Sequence, residues 1–360
     1  MNKGAFQILV FEVFFTFLLF FGCKENITEP EVLGPPWVVF SRSNSPLVDD
    51  HINWITSDTE GRIWLATDSG ASSFLSGSWG TITDSLGSTS TGATRVTSIT
   101  SRSDGSVWFG LFGGGVMRFN RNAPAHVWQR YTQSDGLAFN LVSGITTELE
   151  GEVWTAHPVA GISRFIQSVT DPFQGQWIVY NSQNSNFPSN QFITAAHNVN
   201  ENSVWFGAVL GFVAIASYND VTANVEWRIL NLPNNPRINS IAFDRSNTVW
   251  FGKDIGASSL NTSTTIWTDY TPATTNGVMP NGPVGAVATD LSSTRWFGTN
   301  EGLVQLRDTA WTKFTRSTSL LPSDTISTLY YDQRKGNLWI GTPFGVAVYN
   351  ENGTRGVIAR

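Results

Sequence analysis

The chain has 360 residues, is 41% hydrophobic and only 14% charged, and carries 15 Trp, 33 Gly and 15 Pro. That is ample apolar and aromatic material for a sizeable core, and it excludes an intrinsically disordered chain. A formal net charge of -6, with no run of Lys or Arg, offers no electrostatic footprint for a phosphate backbone and sets nucleic-acid binding aside.

Residues 1–22 place Lys3 ahead of a long run of Phe, Leu and Val ending at Gly22, which reads as an export signal rather than a fold element. Cys23 is the only cysteine, so no intramolecular disulfide can form. Its position after an apolar run and a small residue resembles the lipobox of bacterial lipoproteins, and that resemblance implies lipid on its thiol. The alternative is an uncleaved anchor helix with an incidental cysteine. Either reading puts the domain outside the cytoplasm, in a bacterial cell envelope and held to the membrane. Residues 23–36 are polar and contain Pro, and read as a tether.

A repeat occupies 37–350. Seven tryptophans, Trp64, Trp108, Trp154, Trp205, Trp250, Trp296 and Trp339, recur at intervals of 43 to 51 residues. Each is followed two residues later by Gly or Ala, and six or seven residues later by another Gly. An apolar residue stands four positions beyond that glycine, and a β-branched pair precedes each tryptophan, as in VTSI at 96–99. Every unit therefore offers three short strands separated by turn residues. A fourth strand follows in the first six units, as in WQRY at 128–131 and WIVY at 177–180. The seventh unit lacks one, yet WVVF at 37–40 stands alone before the first.

Four-stranded units that cannot bury their own faces are the signature of propeller blades packed around an axis. The predicted fold is all-β, a seven-bladed β-propeller closed by pairing the N-terminal outer strand with the C-terminal blade, with 351–360 as a tail. The tryptophans are expected in the core, each ring filling the gap above a neighbouring blade's glycine.

INSIAFDRSNTVWFGKDIGASSL at 238–260 and ISTLYYDQRKGNLWIGTPFGVAVY at 326–349 resemble the repeats of the two-component regulator propeller family. SDGLAFN at 134–140 and TSLLPSD at 318–324 resemble that family's inter-blade segment. Such propellers are commonly extracytoplasmic sensors, often of glycan fragments, joined to a membrane span and a histidine kinase. This sequence shows no second apolar span and no kinase-like segment, so the resemblance implies the sensing scaffold without the signalling output.

In this strand order the loops between second and third strands share one face with the inter-blade linkers. Loop residues that vary from blade to blade on a fixed framework are the natural ligand-binding candidates. These are Asp68, Phe112, His157, Lys253, Asp254, Asn300, Glu301 and Phe344, expected around the channel mouth, where rings, carboxylates and amides suit a sugar or peptide. Trp54 occupies a position of the innermost strand that is otherwise small, as at Ser98, Gly144 and Thr194. It is expected to project into the channel, as a plug or a stacking platform.

Asp254 and Glu301 occupy neighbouring blades and form a conceivable carboxylate pair for a carbohydrate-active hydrolase or lyase. His51, His126, His157 and His197 lack metal-ligand spacing, and no nucleophile elbow or phosphate loop occurs. No cofactor or metal is expected. Acidic or amide residues precede each tryptophan, and the acids Asp58, Asp104, Glu150, Asp244, Asp290 and Asp332 are expected to stabilise hairpin turns by bonding their own backbone. The leading expectation is a lipid-anchored binding or sensory module for an extracellular glycan or peptide. The alternatives are a scaffold for envelope proteins and the carbohydrate-active enzyme.

Overall fold

The structure is a computed structural model that describes residues 33–83, 94–120, 128–149, 151–168, 174–218 and 224–357. The signal segment and Cys23 lie outside the described residues. The strands form seven four-stranded antiparallel sheets, six of them consecutive in sequence. The seventh joins Trp37–Phe40 to the C-terminal three strands, with Trp37 opposite Tyr349 and Phe40 opposite Val346.

Alternation along each strand explains the blades. The second strand of every blade is buried almost throughout, as in Val107–Leu111 and Ser203–Ala208, because both of its faces lie between neighbouring blades. The outer strands, such as Val225–Asn231, alternate exposed and partly covered residues because successive side chains point to opposite faces and only one face is packed.

All seven tryptophans are buried, between 0% and 3% exposed. Each meets aromatic side chains of the following blade. The Trp154 ring lies 5.8 Å from Phe206, and Trp250 lies 5.8 Å from Phe297. The glycines two residues later do a different job from the one expected. A Cβ on Gly207 would stand 2.7 Å from Ile238 Cγ2, and one on Gly341 2.8 Å from Ile52 Cγ2. The space above each of these glycines is filled by the β-branched residue that opens the next blade's innermost strand, and the indole packs elsewhere. A Cβ at Gly207 or Gly341 would crowd that residue unless the next strand moved.

The hairpin acids behave as expected in blades one and five. Asp58 accepts backbone N–H bonds from Glu60 and Arg62 and the indole N–H of Trp64 at 2.9 Å. Asp244 does the same for Ser246, Thr248 and Trp250. In blade two the equivalent turn position holds Arg102, and Asp104 caps Ser106 instead. Glu150 lies outside the described residues.

The pairing extends past 37–350 at both ends. Leu33 bridges Arg355, Gly34 donates to the Thr354 carbonyl at 2.7 Å, and Val357 is buried in the cluster that holds Trp339. These contacts gather both ends of the described chain on the side of the first hairpin turns, since Arg355 is held by Asn337 at the start of its strand.

Candidate functional site

The loops after the second strands are fixed by a recurrent device. In five blades the glycine that ends the loop donates to a carbonyl of the adjoining linker, Gly115 to Asn140, Gly161 to Asn190, Gly256 to Gly282, Gly302 to Asp324 and Gly345 to Asp50, and in blade four the Gly211 carbonyl accepts from the Leu232 N–H. The side chains of Asp50 and Asn190 turn back on their own segments, Asp50 accepting from the Arg42 N–H at 2.7 Å and Asn190 from the Ser182 N–H at 2.7 Å. Loop and linker therefore form one rigid face opposite the hairpin turns.

The nine predicted residues separate on this framework. His157 and Lys253 do not line the mouth. They are the last residues of their strands, at a position equivalent to Thr67, Leu111, Ala208, Thr299 and Thr342, and all of these side chains are buried. The His157 Nδ1–H donates to the Leu141 carbonyl at 2.9 Å, while Nε2 lies 3.0 Å from the hydroxyls of Thr155 and Ser163. Burial pushes its pKa down to about 4, so the ring is neutral and structural. Lys253 Nζ pairs with Asp269 at 2.7 Å. Partial burial works against ionisation of Asp269, but hydrogen bonds from Lys253 and Ser258 outweigh it and lower its pKa.

Trp54 is half-buried and packs against the cluster formed by Trp64, Ala66, Val96 and Phe109, between blades one and two. Asp68 sits in a polar network. It accepts from His51 Nδ1 and Asn53 Nδ2, each at 2.8 Å, and pairs with Arg95 Nε at 2.9 Å. Partial burial opposes ionisation, yet the Asn53 and His51 bonds and the Arg95 charge hold Asp68 below the ordinary carboxylate range. The same Arg95 guanidinium lies 5.4 Å over the ring of Phe112. The structure thus brings Asp68 and Phe112 together through Arg95.

Asp254, Asn300, Glu301 and Phe344 are exposed. Glu301 pairs with Lys313 at 3.1 Å, and the Asp254 N–H donates to the Arg237 carbonyl.

Sequence reading missed the apolar character of the face. The loop tips carry Phe112, Val159, Leu210, Ile255 and Phe344, exposed from 48% for Phe112 to 66% for Phe344, and Leu320 of the last linker joins them. An arc from blade two to blade five is apolar at its tips. Blades one and six interrupt the ring with Asp68–Ser69 and Asn300–Glu301. The signal was legible in the residue before three of the seven loop glycines, Leu210, Ile255 and Phe344. Isolated exposed apolar residues are ordinary, but several on one rigid face mark an interaction surface.

This is a seven-bladed propeller, and residues 320–344 match the family model described as two component regulator propeller. The resemblance drawn from the repeats therefore holds for the last linker and seventh blade. Among solved structures, the chain is similar to the extracellular domain of the putative hybrid two component system BT3049 from B. thetaiotaomicron. That match has 19% identity, a TM-score of 0.67, and covers 85% of this chain and 40% of that one. It is similar to PorZ, a bacterial surface component of the type-IX secretion system of Porphyromonas gingivalis, at 17% identity and TM-score 0.65, covering 84% and 46%. YCF48 bound to D1 peptide matches at 13% identity and TM-score 0.62, covering 89% and 96%. The chain thus spans less than half the length of the first two. A search of curated proteins found no match.

Proposed function

We propose that the chain is an extracytoplasmic recognition propeller, anchored through lipid on Cys23, that binds a peptide or protein segment on its loop face. The observation that carries this is the set of apolar loop tips, Phe112, Val159, Leu210, Ile255 and Phe344, exposed on loops locked to their linkers. A rigid surface loses little conformational freedom on binding, and Phe112 is further pinned by Arg95, itself held by Asp68. Apolar tips flanked by Asp68, Asn300 and Glu301 suit a segment with apolar side chains and a polar backbone.

The structural neighbours support the same reading. Two structural neighbours are described as extracellular or surface proteins, and a third is described in complex with a peptide.

The test is thermal unfolding of the soluble domain against panels of peptides and of neutral oligosaccharides, because anything that binds only the folded state raises the midpoint. Peptides that raise it, with the effect lost in Phe112→Ser and Ile255→Ser, support the reading. Stabilisation by oligosaccharides alone, equally sensitive to those substitutions, returns the face to glycan recognition.

A further inference from the structure

The innermost strands of successive blades lie side by side around the axis, the seventh against the first. Each begins where a linker enters it, so its opening residues stand at the channel mouth on the loop face. The second of them sits in a β-bulge in five blades, and a bulge re-aims the side chain it carries.

Those side chains stitch the ring. The Asn53 amide donates to the Val96 carbonyl at 2.9 Å, the Thr97 hydroxyl to Val142 at 2.6 Å, the Ser143 hydroxyl to Phe192 at 2.8 Å and the Asn239 amide to Val284 at 3.3 Å. The Ser327 hydroxyl donates to the Ile52 carbonyl and closes the circle. In each case a short neutral donor caps the first carbonyl of the next blade.

Two blades break the pattern, with Ile193 in blade four and Gly285 in blade six. Ile238, which opens the blade next to Ile193, is 0% exposed, as are all five capped residues. Ile326, which opens the blade next to Gly285, keeps 3% exposure, and among the described residues its carbonyl accepts no hydrogen bond. Gly285 is itself exposed. Apart from its chain neighbours, a Cβ built on it would meet nothing within 4 Å except the Ile326 carbonyl oxygen, at 3.5 Å. That oxygen is therefore the first atom a group entering over Gly285 reaches, and a donor placed there satisfies an acceptor the fold leaves bare.

The gap belongs to the junction of blade six, whose tip is polar at Asn300–Glu301, with blade seven, whose tip is Phe344. A segment running over the apolar tips from Ile255 to Phe344 has to cross blade six on the way. Resting on the loop-face reading, we propose that the channel mouth at Gly285 is a subsite for one short neutral donor side chain of the bound segment, a Ser, Thr or Asn, whose O–H or N–H bonds the Ile326 carbonyl. Gly285 is then a specificity-determining residue, because the partner supplies the side chain it lacks. A carboxylate brings only acceptors to an acceptor, and an apolar side chain leaves the carbonyl unpaired.

The experiment reads the Ile326 carbonyl ¹³C resonance of the soluble domain through the Ser327 amide during titration with acetamide, which reproduces the end of an Asn side chain. Acetamide is expected to move that resonance downfield while the capped Val96 and Val284 carbonyls stay in place, and acetate is expected to move none of them. Gly285→Asn puts the donor of blades one and five into the gap, so its Ile326 resonance should start at the displaced position and ignore acetamide. Peptides selected from a random display library on the parent domain should carry Ser, Thr or Asn at one position and bind Gly285→Asn about tenfold less tightly, as the loss of one hydrogen bond implies. No movement with acetamide, an equal movement in Gly285→Asn, or peptides that bind that variant as tightly as the parent overturns the inference. Peptides lost in Gly285→Asn but retained by Phe112→Ser and Ile255→Ser support the subsite and contradict the loop tips, so the two readings fail separately.

Discussion

Trp37 stands opposite Tyr349 where the two ends of the domain meet, with ring centroids 4.5 Å apart, and its other side meets Phe314 of blade six at 5.8 Å. One ring therefore ties the first strand to two blades. Trp37→Ala should cost about 2 kcal/mol, less than the roughly 3–5 kcal/mol of a fully buried ring because Trp37 is only half-buried. Deleting 37–41 should lower the melting temperature of the whole domain, since it leaves Gly345–Tyr349 as a bare edge. A truncated protein that melts like the intact one would contradict this.

Trp205→Ala should remove a fully buried ring that packs on Phe243 and Phe251 and donates its indole N–H to Ser203. The expected cost in chemical denaturation is roughly 3–5 kcal/mol. Phe344→Ala, at an exposed loop tip, should change stability by no more than about 0.5 kcal/mol.

The buried His157 gives a pH signature. Its folded pKa of about 4 lies below the ordinary value of 6.5, so the unfolded chain binds a proton that the native state refuses. Stability should be full above pH 6.5 and fall as pH drops toward 4, by about 3 kcal/mol for this group. Half-buried His197, also shifted down chiefly by burial, acts in the same direction. Denaturant titrations at successive pH values should show His157→Gln with a shallower decline across that window than the parent.

Cys23→Ala should release the protein from the membrane fraction. A variant that stays just as membrane-bound as the parent, with its signal uncleaved, would favour the anchor helix over lipid at this thiol.

The repeat was readable because it is written in large residues. A tryptophan, a small residue two positions on and a glycine beyond it mark the strands of every blade, and the strand at Trp37 announced itself by the signature missing from blade seven. Side-chain direction at loop edges was less legible. His157 and Lys253 are polar residues beside a turn, which suggested solvent, yet they close a strand at a position held elsewhere by Thr67, Leu111 and Ala208. Only that comparison shows that the loop begins one residue later. Val159, Leu210 and Ile255 were passed over for the opposite reason. Apolar letters suggest core, and their exposure depends on a turn that reverses before the side chain can reach one.

The account turns on which face recognises a partner. Peptides selected from a random display library on the immobilised folded domain can be measured against two variants that both keep the parent's melting temperature. One carries Phe112→Ser, Ile255→Ser and Phe344→Ser on the loop face. The other carries Leu149→Ser and Leu291→Ser on the hairpin-turn side, where both residues are also exposed. The selected peptides should lose binding to the first variant and keep it for the second. Retained binding by the loop-face variant, or loss confined to the turn-side variant, would contradict recognition through the loop face.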